Sequence, residues 1–178
     1  MPKTNANGIE IEYDCFGNTG AEAVLLISGL GTQMIRWSET FCQILAEQGY
    51  RVIRFDNRDA GLSTHFDSAS MPDLAAIADA VSRGEAPNVP YTLFDMAKDA
   101  VGLLDALKIK RAHVVGRSMG GMIAQLLASE HFGRVLSLVS IMSSTGNRDL
   151  PQTSPAVMAA MCRQNPLGLY ARLTSAKA

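Results

Sequence analysis

Apolar and polar residues alternate over 9–16, with Ile9, Ile11 and Tyr13 set against Glu10, Glu12 and Asp14. A period of two predicts a half-buried strand, and the Asn7-Gly8 pair before it suits a tight turn. Such a strand belongs at an antiparallel edge or in a hairpin. The pattern then changes. Ala23-Val24-Leu25-Leu26-Ile27 is continuously apolar, as in a central parallel strand covered on both faces. Residues 37–48 carry Trp37, Phe41, Ile44 and Leu45 at helical spacing and stop at Gly49, where a left-handed residue ends a helix. A third strand is predicted over 51–56, followed by a loop of turn formers over 57–70. Two helices follow, a short one over 72–81 and a longer one over 92–107. The longer one sets Leu93, Met96, Ala100, Leu103, Leu104 and Leu107 on one face, with Thr92 and Asp95 suited to its first turn. Residues 112–115 then read as a short strand, 119–131 as a helix, and 135–142 as a strand with the apolar character of a buried one.

Strands alternating with helices in this order predict an α/β fold, a mostly parallel sheet with helices on both faces. No internal repeat or low-complexity segment interrupts it. After Ser143 the texture turns to Ser, Thr, Asn and Pro, and then to Met158, Met161, Leu167 and Leu169 in pieces broken by Pro155 and Pro166. This stretch reads as a loop and the start of a separate helical element.

Composition narrows the picture. A chain of 178 residues with 47% apolar and 19% charged residues is of globular type. Its 16 Lys and Arg residues are scattered and its net charge is -1, so nucleic acid is not an expected partner. Cys15, Cys42 and Cys162 are odd in number and form no CxxC pair; they read as buried free thiols of a reducing compartment, with no metal site and no cofactor implied. The first residues lack the apolar stretch of a signal peptide, and no apolar run approaches the ~18 residues of a membrane span. A cytoplasmic protein without a membrane partner is the expectation.

Gly116-Arg117-Ser118-Met119-Gly120 carries the chemistry. It matches G-x-S-x-G between a predicted strand and a predicted helix, the setting in which a sharp turn exposes a nucleophilic serine. Glycines flank such a turn because its backbone is strained and neighbouring side chains would clash. At a helix N-terminus, free N–H groups and the positive end of the dipole favour the oxyanion of acyl transfer, and the Met119 N–H is the natural first donor. A packing turn or a phosphate cradle is the alternative reading. The dinucleotide fingerprint and the Lys-Ser/Thr of a P-loop are both absent at this turn. A second donor is expected from Ser28-Gly29-Leu30-Gly31-Thr32, where the glycines free the backbone to present the Leu30 N–H, unless they serve only a tight turn.

With these two turns and Phe55-Asp56-Asn57-Arg58-Asp59-Ala60-Gly61-Leu62-Ser63, similar to a D-x-R-x-x-G-x-S loop, the chain resembles the α/β-hydrolase family from about Gly8 to its end. Within that family it is similar to esterases of the aclacinomycin methylesterase type. The resemblance implies carboxylic ester hydrolysis, with a core over 1–142 and the start of a helical cap over 143–178. A small hydrophobic ester is the expected substrate, and the methionines of the cap would form an adaptable apolar wall over it. A lactonase or cofactor-free haloperoxidase would share the same elbow. Two positions depart from the family's pattern. Ser28 stands where histidine is common, and Arg117 stands beside the serine where small or apolar residues are common.

A triad needs a base and an acid, which in this family follow the serine in the order Ser, Asp, His. His131 is the sole histidine after Ser118, and at about 1.5 Å per helical residue it lies nearly 20 Å away. His113 falls within the strand before the elbow. His65, in the loop after the third strand, lies on the active edge as a possible surrogate. Asp149 is a candidate acid or a plain loop carboxylate, and Asp56 and Arg58 read as an ion pair or turn-stabilising set. The expectation is therefore that base and acid lie outside this chain, that the last strands of the sheet are missing, and that an open apolar edge invites association. Truncation, one chain of a complementing pair, and a short protein that dimerises are the competing explanations. The reading from another class is a non-catalytic α/β domain that binds a small molecule or a partner chain.

Overall fold

Among the described residues, six strands form one sheet in the order β1-β2-β4-β3-β5-β6. The computed structural model describes residues 1–67, 74–147, 149–151, 154 and 156. β1 (Lys3–Ala6) turns through Asn7-Gly8 into β2 (Ile9–Phe16), and β2 runs antiparallel to β4 (Tyr50–Phe55). From there the sheet is parallel: β4 beside β3 (Glu22–Ile27), β3 beside β5 (Ala112–Arg117), and β5 beside β6 (Val135–Ile141). The mostly parallel α/β sheet expected from the alternating elements is the one observed.

Alternation of side chains across β3 divides the core. Leu25 and Ile27 face a large cluster with α3 (Leu93–Ala106) and α4 (Met119–Glu130), through Leu103, Leu104, Ile123 and Leu127. Val24 and Leu26 face the opposite layer, where Trp37 and Cys42 pack over them at the start of and within α1 (Glu39–Glu47). A fourth helix, α2, spans Leu74–Ser82.

Several expectations shift. β1 was not predicted, because Lys3, Thr4 and Asn5 carry no apolar signal; its strand conformation comes from pairing along β2, Lys3 opposite Glu12 and Ala6 opposite Ile9. α1 begins at Glu39 rather than Trp37 because Ser38 caps it, its Oγ accepting from the Phe41 N–H. This rotates the buried face: Cys42 is enclosed while Phe41 and Ile44 are exposed. Cys15 is exposed and Cys42 buried, so the reading of buried thiols holds for one of these two; Cys162 lies outside the described residues. β6 has the composition of a buried strand but forms the edge of the sheet, with Leu138 39% and Val139 47% exposed. The methionines and leucines assigned to a cap, 158 to 169, lie outside the described residues.

α3 opens with a capping box. Thr92 Oγ1 accepts from the Asp95 N–H, while the Asp95 carboxylate accepts from the Thr92 N–H at 2.8 Å and holds its own pKa below the usual range through that bond. Thr92→Ala is expected to cost about 1 kcal/mol in urea unfolding at neutral pH. A carboxyl whose folded pKa is depressed contributes stability above its unfolded pKa and loses it as pH falls through the folded value. Asp95→Asn should therefore destabilise at pH 7 and match the parent in strong acid.

Candidate active site

Strand β5 ends at Arg117 and α4 begins at Met119, leaving Ser118 alone to turn the chain. It does so with φ 56° and ψ -124°, a left-handed conformation that serine avoids unless its surroundings impose it. The surroundings are backbone. A Cβ at Gly120 would sit 2.2 Å from the Ile27 carbonyl oxygen at the end of β3, and one at Gly116 would sit 2.1 Å from the Gly120 carbonyl oxygen. Only glycine permits this approach of helix to strand. The Ser118 N–H donates to the Ile141 carbonyl at 2.9 Å and the Ser118 carbonyl accepts from the Gly121 N–H at 2.8 Å, which fixes the turn from both sides. Met119 is the first residue of α4, where N–H groups have no partner within the helix.

The 28–32 loop runs beside this turn. A Cβ at Gly29 would lie 3.3 Å from Ser118 Cβ and 3.8 Å from Ser118 Oγ, so the two backbones bracket the serine. The Thr32 N–H donates to the Gly29 carbonyl at 3.2 Å and Thr32 Oγ1 to the Leu30 carbonyl at 3.1 Å, closing the turn that carries Leu30. Ser28 is buried, and its carbonyl accepts from Asn57 Nδ2 at 3.0 Å. That bond ties this loop to the next one.

Asp56 organises the next loop. Its carboxylate accepts from the Met34 N–H at 2.7 Å and the Leu62 N–H at 3.1 Å, and its carbonyl from Ser63 Oγ at 2.6 Å. Burial pushes the Asp56 carboxyl above its ordinary pKa against the pull of those two N–H groups. Asp56 thus fills the turn-stabilising role, but it does not pair with Arg58. The Arg58 guanidinium instead grips Asp99 of α3 in two bonds of 2.6 Å, with both residues buried. It also lies over the rings of Phe66 and Tyr91, and Asn7 Nδ2 donates to Asp99 at 2.8 Å. Asp99 was missed in the sequence, although an aspartate on the apolar face of a helix, between Met96 and Leu103, signals a buried cation.

His65 Nε2 is engaged with the Gly61 carbonyl at 3.0 Å. His113, near the start of β5, pairs with Ser137 Oγ at 2.7 Å and has Glu22 3.6 Å away. His131 caps the far end of α4. Asp149 is exposed in a turn, its N–H donating to Asn147. Arg117 lies over the Trp37 ring at 5.7 Å, on the α1 face of the sheet. Among the described residues no group of three or more His, Cys, Asp or Glu side chains is placed to hold a metal, and no helix is long and apolar enough to cross a membrane.

Over residues 22–173 the sequence matches the family described as the alpha/beta hydrolase fold. The chain belongs to that family. It is 34% identical over 126 residues to the rhodomycin D methylesterase DauP of Streptomyces sp. (strain C5), and 32% identical over 126 residues to the rhodomycin D methylesterase DnrP of Streptomyces peucetius. Each alignment covers 71% of this chain and 36% of the relative. Among solved structures, the enol-lactonase from Burkholderia xenovorans LB400 superposes with a TM-score of 0.57 at 32% identity, over 75% of this chain and 44% of that one. The matched segment thus spans 36% of each methylesterase and 44% of the enol-lactonase, and the likeness to methylesterases is of the kind the motifs implied.

Removing one partner of the buried pair that anchors the loop beside the site should leave an uncompensated charge. Asp99→Ala is expected to lower unfolding free energy by about 3–5 kcal/mol in urea titration.

Proposed function

We propose that Ser118 is the nucleophile of a serine hydrolase acting on small hydrophobic carboxylic esters. Ser118 Oγ attacks the ester carbonyl carbon as its proton passes to a base, and the carbonyl oxygen takes up negative charge between the N–H groups of Leu30 and Met119. Collapse of the tetrahedral species expels the alcohol and leaves an acyl-enzyme, which water then hydrolyses with the same base. Lactones are cyclic esters and follow the same course. The observation that carries this reading is the forced left-handed Ser118 at the head of α4, bracketed by the Gly29 backbone.

The base and its orienting acid come from outside these 178 residues. In support, His65 Nε2 already has a carbonyl partner, His113 is held near the start of β5 by Ser137, and His131 sits at the other end of α4. The DauP and DnrP names describe ester hydrolysis by those proteins, which supports the ester class for this one.

A fluorophosphonate probe tests the assignment. In the protein supplied with its base, the adduct should map to Ser118, and Ser118→Ala should lose ester turnover by about 10⁴-fold or more. Wild-type rates in that variant, or labelling at another serine, would overturn it. The 178-residue chain alone should hydrolyse esters near the uncatalysed rate; turnover of the order of 1 s⁻¹ or more by it would refute an external base.

A further inference from the structure

At the other end of the sheet from Ser118, the 19–22 turn, the start of β4 and the 108–111 turn line an open cavity of about 370 Å³. Four cationic side chains line it, Arg51, Lys108, Lys110 and Arg111, against one carboxylate, Glu22. Composition gave no hint of this, because Arg51 comes from a different part of the sequence and the fold gathers it beside the other three. We infer that this cavity binds a phosphoryl group, at a site separate from the proposed ester chemistry.

Among the described residues none of the four cations forms an ion pair, whereas Arg54, Arg58, Arg83 and Arg134 each hold a carboxylate. Arg51 is held at the cavity wall: its Nη1 donates to the carbonyl of Thr19, another lining residue, its side chain bonds Cys15, and its Nε is buried with no partner among the described residues. Lys108 is a second, independent sign. It follows α3 with φ 56°, and the Lys108 and Ile109 N–H groups return to the Asp105 and Leu104 carbonyls. That is the helix-ending motif whose left-handed position glycine fills best. A lysine there breaks a local rule and puts Lys108 on the cavity wall. Compact lysine charges and a forked guanidinium suit a phosphoryl dianion.

β3 and β5 lead from this cavity to the Leu30 loop and to Ser118. Six residues of strand at about 3.3 Å each separate the two ends. Binding here should therefore be indifferent to the nucleophile.

Calorimetric titration of the protein with inorganic pyrophosphate at low salt tests the site. Saturable binding is expected, weakened about tenfold or more by the Lys110→Gln/Arg111→Gln pair, in line with the loss of charge-assisted bonds. Lys108→Gly separates binding from folding, since it should hold or raise Tm while weakening affinity. Glu22→Gln should tighten binding, and Ser118→Ala should leave it unchanged. Lys3→Gln, which removes a cation already paired with Glu10, should also leave it unchanged. Absence of saturable binding at millimolar pyrophosphate, or equal weakening by Lys3→Gln and by the cavity variants, would overturn the proposal. Phosphatidylcholine vesicles containing a phosphorylated inositol lipid distinguish the source. Retention on them that pyrophosphate reverses indicates a lipid headgroup, and pyrophosphate binding without retention indicates a soluble phosphorylated molecule.

Discussion

The end of β3 and the turn after β5 meet backbone to backbone, with no room for a side chain between Gly120 and the Ile27 carbonyl. That contact sets the angle at which α4 leaves the sheet, and so forces Ser118 into the left-handed region. It also decides what lies next to the serine. The chain leaving β3 beyond Ile27 must pass the head of α4, and a Cβ added at Gly29 would therefore meet Ser118. The proposed nucleophile and its two proposed oxyanion donors share one steric origin, because two adjacent parallel strands end at the same edge.

Around this contact the loops at the same edge are held by polar groups buried with partners. Asp56 fastens the 56–63 turn and the Met34 backbone, Asn57 reaches the Ser28 carbonyl, and the Arg58–Asp99 pair clamps the loop to α3. Buried polar groups of this kind are costly if left unsatisfied. Their arrangement makes the loops beside Ser118 a fixed platform.

The fold was legible wherever burial dictates composition. β3 is continuously apolar over 23–27 because both its faces are covered, and α3 announced itself through its apolar stripe and its Thr92-Asp95 cap. β1 was illegible because its strand conformation comes from a neighbour, not from its own residues. β6 is the opposite case: its sequence suits burial, and it stands as the open apolar edge expected of a sheet whose next strand is not among the described residues. The elbow could be read because strained geometry demands glycines at set positions. The partner of Arg58 could not, since Asp99 lies 41 residues away and only the packing of α3 brings it near. The cationic cavity escaped notice for the same reason.

Hydrolase chemistry at this edge stands or falls on where the oxyanion goes. The most direct measurement is a crystal structure of the protein, together with its base, carrying a phosphonate adduct that mimics the tetrahedral intermediate. The expected result is a bond from Ser118 Oγ to phosphorus, with one phosphonyl oxygen about 2.7–3.1 Å from both the Leu30 and Met119 nitrogens. An adduct on another residue, or a phosphonyl oxygen turned to solvent away from those two N–H groups, would contradict it.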